Sequence, residues 1–128
     1  MSIDTNLQIL IVDDYKMMLR IVRHQLKQVG FTCVEVASDG AGALEKLREK
    51  AFGLVISDWN MQPMTGLDLL HEVRADPTLA HLPFIMITAE SKAEKVVTAK
   101  EAGVDNYIVK PFNAETLKAK IVSVVGKA

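Results

Sequence analysis

Carboxylates stand at the ends of two apolar segments of this sequence. Asp13 and Asp14 follow the run Gln8–Val12, and Asp58 closely follows the run Leu54–Ile56. A carboxylate beside a buried apolar segment is costly unless a cation or a hydrogen-bond donor accompanies it. Each acid taken alone also suits a turn or a helix N-terminus. Whether these acids mark a functional site therefore depends on whether other apolar segments also end in polar side chains.

Two later apolar segments also end on polar side chains. Thr88 closes the run Phe84–Thr88, and Lys110 follows the run Asn106–Val109. A threonine alone is uninformative, and a lysine before a proline is usually part of a solvated turn. Polar groups at the ends of four separate segments are much less expected by chance, so this set is the candidate site.

The segments that must position these groups alternate between two patterns. Short apolar runs rich in β-branched residues predict strands, and apolar residues recurring every three or four positions predict helices. Strands are predicted at Gln8–Val12, Cys33–Ala37, Leu54–Ile56, Phe84–Thr88 and Asn106–Val109, and helices from about Met18 to Gly30, from Asp39 or Gly40, from Gly66 to Asp76, from Ser91 or Lys92 to Ala102, and from Ala114 to Val125.

Most of these strands are apolar on both faces. We therefore expect an α/β fold, a doubly wound parallel sheet with helices on both faces. The carboxyl ends of parallel strands share one edge, which would gather Asp13, Asp14, Asp58, Thr88 and Lys110.

Gathered at one edge, these groups predict a phosphoryl-transfer site with a divalent metal. Neighbouring carboxylates repel one another unless a cation is bound. Hard oxygen ligands favour Mg²⁺, and the backbone carbonyl of Asn60 could complete the protein's share of its ligands. Asp58 could then attack phosphorus, with Lys110 neutralising the transferred group and Thr88 offering a hydroxyl. The sequence has no Gly-rich phosphate loop, which disfavours a P-loop nucleotide enzyme.

The composition narrows the range of functions. The chain has 128 residues, which suits one domain over residues 1–128. Its 15 basic and 16 acidic residues give a net charge of -1, so we expect no nucleic-acid binding. No apolar run approaches the ~20 residues that span a bilayer, and the polar N-terminus is not a signal peptide. One cysteine, Cys33, fits a reducing cytoplasm, where we expect a monomer.

The sequence resembles the receiver domains of response regulators from Ile9 to about Val125. The resemblance is carried by Val12-Asp13-Asp14, Ile56-Ser57-Asp58-Trp59-Asn60-Met61, Thr88-Ala89-Glu90 and Tyr107-Ile108-Val109-Lys110-Pro111-Phe112. Within that family the chain is most similar to single-domain chemotaxis regulators. The resemblance implies a flavodoxin-like five-stranded sheet with strand order 2-1-3-4-5 and no output domain.

The resemblance also implies a role for each residue of the site. Asp58 would accept a phosphoryl group from the phosphohistidine of a histidine kinase. Asp14, with Asp13 assisting through water, would hold Mg²⁺ together with Asp58 and the Asn60 carbonyl, while Lys110 would bind the phosphoryl group. These roles imply a signalling switch, which acts as an enzyme only in its own phosphorylation and slow dephosphorylation.

Other positions would transmit or time the signal. Thr88 would reach the phosphoryl group, and Tyr107 would move into the space that Thr88 vacates. Asn60 and Glu90 match positions that tune how fast water removes the phosphoryl group. The implied output face comprises Lys92, Val96, Lys100, Tyr107 and Lys120. A flagellar motor switch protein is the expected target, and whether a phosphatase also acts stays open.

Alternatives to this interpretation stay open at this point. A phosphate sink, or a regulator of a pathway other than chemotaxis, would use the same site. An aspartate-nucleophile phosphohydrolase usually needs a second acid/base aspartate two positions after the nucleophile, where this chain has Asn60. A phosphate-independent adaptor would have no need of the acidic set and Lys110.

The loop after Asp58 departs from the family pattern. The family usually has proline directly after the position of Met61, whereas this chain has Gln62-Pro63, which fixes a different φ and leaves the loop's shape open. The Lys110-Pro111 bond is expected to be cis, as in the family. Trp59, beside the expected phosphoacceptor, is expected to be half exposed.

Overall fold

The computed structural model describes residues 6–88 and 93–125, the side chains of residues 93–95 excepted. Over these residues the chain forms β1 Ile9–Val12, α1 Lys16–Gln28, β2 Val34–Ala37, α2 Gly40–Glu49, β3 Leu54–Asp58, α3 Gly66–Ala75, β4 Phe84–Thr88, α4 Ala93–Glu101, β5 Asn106–Val109 and α5 Ala114–Val125. The strands form one parallel sheet in the order β2-β1-β3-β4-β5. The predicted fold class and strand order are confirmed.

The sheet lies between two helical layers. All residues of β1, β3 and β4 are buried, whereas the edge strands β2 and β5 are partly exposed. Leu10 and Val12 pack towards α2, α3 and α4, while Ile9 and Ile11 pack towards α1 and α5. The two-sided apolar strands of the sequence therefore occupy the centre of the sheet. Within the described residues, no helix is long and apolar enough to cross a membrane.

Capping residues mark the starts and ends of several helices, close to where the sequence predicts them. Gly30 after α1 and Gly103 after α4 have φ of 100° and 95°, in the left-handed region that favours glycine. The Asp39 carboxylate accepts a hydrogen bond of 2.6 Å from the Gly42 N–H at the start of α2. Thr65 and Asp68 form a reciprocal capping box at the start of α3.

One arginine joins α3 to the starts of β4 and β5 and to the end of α4. The guanidinium of Arg74 donates hydrogen bonds of 2.7 to 3.1 Å to the carbonyls of Ala80, Leu82 and Gly103 and to the carboxylate of Asp105. The same Asp105 oxygen accepts the Phe84 N–H at 2.8 Å. Among the described side chains of α4, Ala99 is buried but Val97 is 51% exposed, so little apolar surface holds this part of the helix. This arginine therefore anchors the carboxyl end of α4.

The start of α3 lies directly against the end of β3. The Gly66 N–H donates to the Trp59 carbonyl at 2.9 Å. A Cβ at position 66 would collide with the Asp58 carbonyl oxygen and lie 2.9 Å from the Trp59 Cα, and neither backbone atom can swing away. The absence of a side chain at Gly66 thus lets α3 close over the strand that carries Asp58.

Replacing this glycine tests how tightly α3 holds the end of β3. Gly66→Ala is expected to lower the free energy of unfolding by about 1–3 kcal/mol, because overpacking here must displace backbone. Gly40→Ala is the matched control, since Gly40 also begins a helix but its Cβ would meet the Met64 side chain, which can shift. Urea unfolding followed by Trp59 fluorescence measures both losses. Equal losses for the two variants would contradict this account.

Candidate functional site

The register of the sheet brings the polar strand ends to one edge. Val12 pairs with Ser57, so Asp13 and Asp58 lie side by side one residue further along. Asp58 pairs with Ile87, and the Lys110 N–H donates to the Thr88 carbonyl at 2.8 Å. The structure therefore brings these polar residues together at the carboxyl edge of the sheet, as predicted.

Three carboxylates meet at this edge. Asp13, Asp14 and Asp58 each offer an oxygen, and these oxygens lie within 4.8 Å of one another. Asp13 and Asp58 are buried, at 2% and 4% exposure, whereas Asp14 is exposed. In the part of the chain that the structure describes, this is the one such group that could hold a metal ion.

Burying the Asp13 carboxylate beside other negative charges has an electrostatic cost. Burial raises the pKa of its carboxyl group to about 6, and the charges of Asp58 and Asp14 act in the same direction. The Tyr15 N–H, which donates to the Asp13 carboxylate at 2.9 Å, and the Lys110 ammonium lower that pKa. A divalent cation among these oxygens would relieve the same desolvation and repulsion, so the donor set fits a hard metal such as Mg²⁺.

Lys110 supplies positive charge at the site. Its Nζ lies 3.0 Å from Asp58 Oδ1, and the side chains of Lys110 and Asp58 are 27% and 5% exposed. The long lysine stem thus reaches from the end of β5 past β4 to the end of β3. The Lys110-Pro111 peptide bond is cis, as expected, and the Gln62-Pro63 bond is cis as well.

Two groups that the sequence analysis did not single out hold the acids in place. The Tyr15 N–H fixes the Asp13 carboxylate. Ser57 is fully buried, and its hydroxyl donates to the Asp58 carbonyl at 3.0 Å. An aspartate shortly before a helix is a signal for the first contact, because in an Asx turn the aspartate side chain accepts the N–H two residues further on. The sequence offers no comparable signal for Ser57.

Thr88 and Tyr107 lie on the same face of the sheet. Thr88 ends β4 at 3% exposure and pairs with Val109, while Tyr107 pairs with Met86, two positions earlier. Tyr107 is half-buried and packs against the core on the α2, α3 and α4 side. A change at Thr88 can therefore reach Tyr107 through adjacent packing on one side of β4 and β5.

The predicted output face is only partly described. Lys120 Nζ lies 5.4 Å from the centroid of the Tyr107 ring and 3.5 Å from the Asn106 side-chain oxygen. On α4, Val96 is half-buried and Lys100 is exposed. Lys92, and the predicted tuning residue Glu90, lie outside the described residues. The other tuning residue, Asn60, follows β3 and is exposed, and the metal-ligand role of its carbonyl stays a prediction.

Trp59 is buried at 7% exposure, so the expectation of a half-exposed indole is wrong. Met61 and Met64 belong to the same packed cluster, and the N–H groups of Met61 and Gly66 donate to the Trp59 carbonyl. The loop after β3 thus folds back over the tryptophan. Because Trp59 is the one tryptophan of the chain, its fluorescence reports on the surroundings of Asp58.

Comparison with known families decides what kind of domain carries this site. The family model of the response regulator receiver domain matches residues 9–122. The chain belongs to the response regulator receiver family. As a receiver domain it is a member of a family of signalling switches and is not a conventional enzyme.

This receiver domain has close relatives among chemotaxis proteins. It is 50% identical over 119 residues to the chemotaxis protein CheY-3 of Vibrio cholerae, covering 93% of this chain and 92% of the relative. It is also 50% identical over 115 residues to the chemotaxis protein CheY of Pseudomonas aeruginosa, covering 90% and 93%. The solved structure of Vibrio cholerae chemotaxis protein CheY4 matches with a TM-score of 0.87 at 37% identity, covering 93% and 98%.

The raised pKa of Asp13 predicts how pH acts on stability and metal binding. The folded-state pKa of about 6 lies above the ordinary value of 3.8, so the folded protein binds the proton more tightly. Without metal, the stability associated with Asp13 is complete below pH 3.8 and is lost as pH rises through 6. The full loss is on the order of 3 kcal/mol. Mg²⁺ affinity should rise over the same range, since the ion displaces this proton.

Asp13→Asn isolates this effect, because the amide oxygen can still accept the Tyr15 N–H. In EDTA at pH 7 the variant should be more stable than the parent protein, and its stability should vary less between pH 4 and 6.5. In Mg²⁺ titrations it should bind more weakly. Urea unfolding and Trp59 fluorescence measure the two quantities. A variant that is less stable in EDTA would show that the Asp13 charge is not the cost inferred above.

Proposed function

We propose that this receiver domain is a phosphorylation-operated switch in a cytoplasmic two-component system. Asp58 is the phosphoacceptor, Mg²⁺ the cofactor and a histidine kinase the phosphodonor. The observation that carries the proposal is the juxtaposition of the Lys110 ammonium, 3.0 Å from Asp58, with the cluster of three carboxylates. Membership of the receiver family supports the same conclusion.

The transfer forms an acyl phosphate on Asp58. A carboxylate oxygen attacks the phosphorus of the phosphohistidine, the P–N bond breaks, and its electron pair stays on the imidazole nitrogen. Asp13, Asp14, Asp58 and the Asn60 carbonyl would hold Mg²⁺, which neutralises charge on the phosphoryl oxygens when bound. Lys110 exchanges its contact with the Asp58 carboxylate for one with a phosphoryl oxygen.

The new phosphoryl group changes which conformation is favoured on β4 and β5. The Thr88 hydroxyl turns towards a phosphoryl oxygen, and Tyr107 moves into the space that Thr88 leaves. The shared face of Thr88 and Tyr107 on the sheet supports this coupling. The shift favours a minor conformation that a target prefers, so phosphorylation acts by changing populations.

The proposed target is a protein of the flagellar motor switch, bound through the surface that includes Val96, Lys100, Tyr107 and Lys120. Identity of 50% to two chemotaxis proteins named CheY supports chemotaxis over other pathways. The cations of this face suit an acidic or amphipathic segment of the target.

Asp58→Asn is expected to abolish phosphorylation. Acetyl phosphate with Mg²⁺ should add the mass of one phosphoryl group to the parent protein and none to the variant, because an amide oxygen is a poor nucleophile. Asp76→Asn is the matched control. Asp76 caps the carboxyl end of α3, at the opposite edge of the sheet from the site, and an asparagine oxygen can still accept the Thr78 N–H, which Asp76 accepts at 2.9 Å. Intact-protein mass spectrometry measures the difference, and phosphorylation of the Asp58→Asn variant would refute the assignment.

The same variants test the target. Acetyl phosphate should tighten binding of a purified flagellar motor switch protein to the parent and to the Asp76→Asn variant, but not to Asp58→Asn. Normal phosphorylation without tighter binding would leave the switch chemistry intact and reject the motor target. That outcome would favour a phosphate sink or a regulator of another pathway.

Lys110→Met should slow phosphorylation but strengthen the binding of Mg²⁺. Loss of the ammonium should slow phosphorylation by acetyl phosphate by about 100-fold or more, because one preorganised charge on the transferred group is gone. Mg²⁺ should bind about tenfold more tightly, because the carboxylates no longer have a competing cation. Lys118→Met, at an exposed position on α5, is the control for loss of positive charge. Slower phosphorylation together with weaker Mg²⁺ binding would indicate a merely structural role for Lys110.

A further inference from the structure

Gln25 places a polar side chain at an apolar position of α1. Met18, Val22 and Val29 recur on the face of the helix that packs into the core, and Gln25 continues this spacing, three residues after Val22 and four before Val29. Gln25 is half-buried, and the next residue, Leu26, is fully buried. A polar residue here breaks the apolar pattern that holds the helix against the core, and such departures are expected mainly where function requires them.

One half of the Gln25 amide has no hydrogen-bond partner. Its Nε2 donates to the Phe112 carbonyl at 3.3 Å, whereas its Oε1 is buried and no donor of residues 6–88 or 93–125 reaches it. The opposite orientation of the amide would set two oxygens against each other, so the contact with Phe112 fixes which half is left over. A buried acceptor without a donor costs free energy. Fold stability therefore does not explain a glutamine at this position.

The Phe112 carbonyl belongs to the turn that carries Lys110. At the start of this turn, the Lys110 N–H donates to the Thr88 carbonyl at 2.8 Å, which holds the turn on β4. At its end, the Asn113 side-chain oxygen accepts a backbone N–H of the first turn of α5 at 2.8 Å. Gln25 binds the middle of the turn to α1. The path of the chain after Lys110 is thus fixed from three sides.

Through these contacts α1 is joined to both signs of charge in the site. Tyr15, the N-cap residue of α1, donates its N–H to the Asp13 carboxylate at 2.9 Å. Further along the same continuous helix, Gln25 holds the turn of Lys110, whose Nζ lies 3.0 Å from Asp58 Oδ1. The helix therefore sets the lysine relative to the acids. A misplacement of about 1 Å in such a site can slow a reaction about 100-fold.

We propose that Gln25 is a positioning residue for Lys110. By holding the Phe112 carbonyl against α1, its amide fixes the turn from which the Lys110 stem extends, and so keeps the ammonium beside Asp58 for the incoming phosphoryl group. The proposal rests on the proposed function, in which Lys110 binds that group. The buried Oε1 is the stability cost of a contact that serves the site.

Gln25→Met in the full-length protein tests this role, because methionine keeps the length and flexibility of glutamine but lacks the amide. Gln28→Met, which changes an exposed glutamine of the same helix, is the matched control. Phosphorylation by acetyl phosphate with Mg²⁺ should be about tenfold slower in Gln25→Met and within about twofold of the parent in Gln28→Met. The urea midpoint of Gln25→Met should be no lower than that of the parent, because the unpartnered oxygen is gone.

A double-mutant cycle with Lys110→Met identifies the route of the effect. Gln25→Met should slow phosphorylation about tenfold in the parent but less than about twofold in the Lys110→Met background, where there is no ammonium left to position. Mg²⁺ affinity, measured by Trp59 fluorescence without a phosphodonor, should rise about threefold in Gln25→Met. A displaced ammonium competes less with the metal for the carboxylates.

Three results would overturn the proposal. Equal slowing in both backgrounds would show that Gln25 does not act through Lys110. A lower urea midpoint with the parental phosphorylation rate would make Gln25 a structural contact between α1 and the turn. An unchanged Mg²⁺ affinity would mean that the ammonium has not moved. If the parent protein itself took up no phosphoryl group, the proposed function would fail, and the Mg²⁺ titration would then decide the role of Gln25 by itself.

Discussion

Concentrated negative charge at the carboxyl ends of β1 and β3 is the constraint on which this structure depends. A parallel sheet leaves no other place for Asp13 and Asp58, since their strands are buried neighbours in register. The Lys110 ammonium and the Tyr15 N–H offset only part of the resulting cost, as the raised pKa of Asp13 shows. The fold is thus prepared to take up a cation. The fully buried central strands must supply the stability that this edge lacks.

Stability on the α4 side of the sheet is unevenly distributed, which matters for a switch. Arg74 fixes the carboxyl end of α4 through the Gly103 carbonyl, while the described side chains of the helix, from Val96 on, bury little apolar surface beyond Ala99. A displacement of α4 that keeps this end in place costs less than one that breaks the guanidinium contacts. Tyr107 is half-buried and lies beside Lys120, where such a displacement would change the packing of its ring.

Sequence patterns predict the parts of this protein that depend on neighbouring residues along the chain. Two-sided apolar strands, glycines after helices and aspartates before them are local signals, and they predict the sheet, the helix ends and the shared edge of the five site residues. Contacts between distant segments leave no such signal. Arg74 reaches Gly103 across 29 positions, and nothing in α3 distinguishes it from another surface arginine. The burial of Trp59 likewise depends on how the loop containing Met61 folds back, which the shifted proline had left open.

The net charge of the sequence is a poor guide to how charge is distributed over the structure. A value of -1 suggests an even surface, yet three carboxylates gather at one edge of the sheet and the cations of α1 begin two residues after Asp14. Opposite charges this near one another could have formed ion pairs, and among the described residues Lys16, Arg20 and Arg23 did not. The three carboxylates therefore keep their field available to a cation, and the cations of α1 are exposed to solvent. A net charge of -1 thus hides an acidic edge and a basic helix that the fold places side by side.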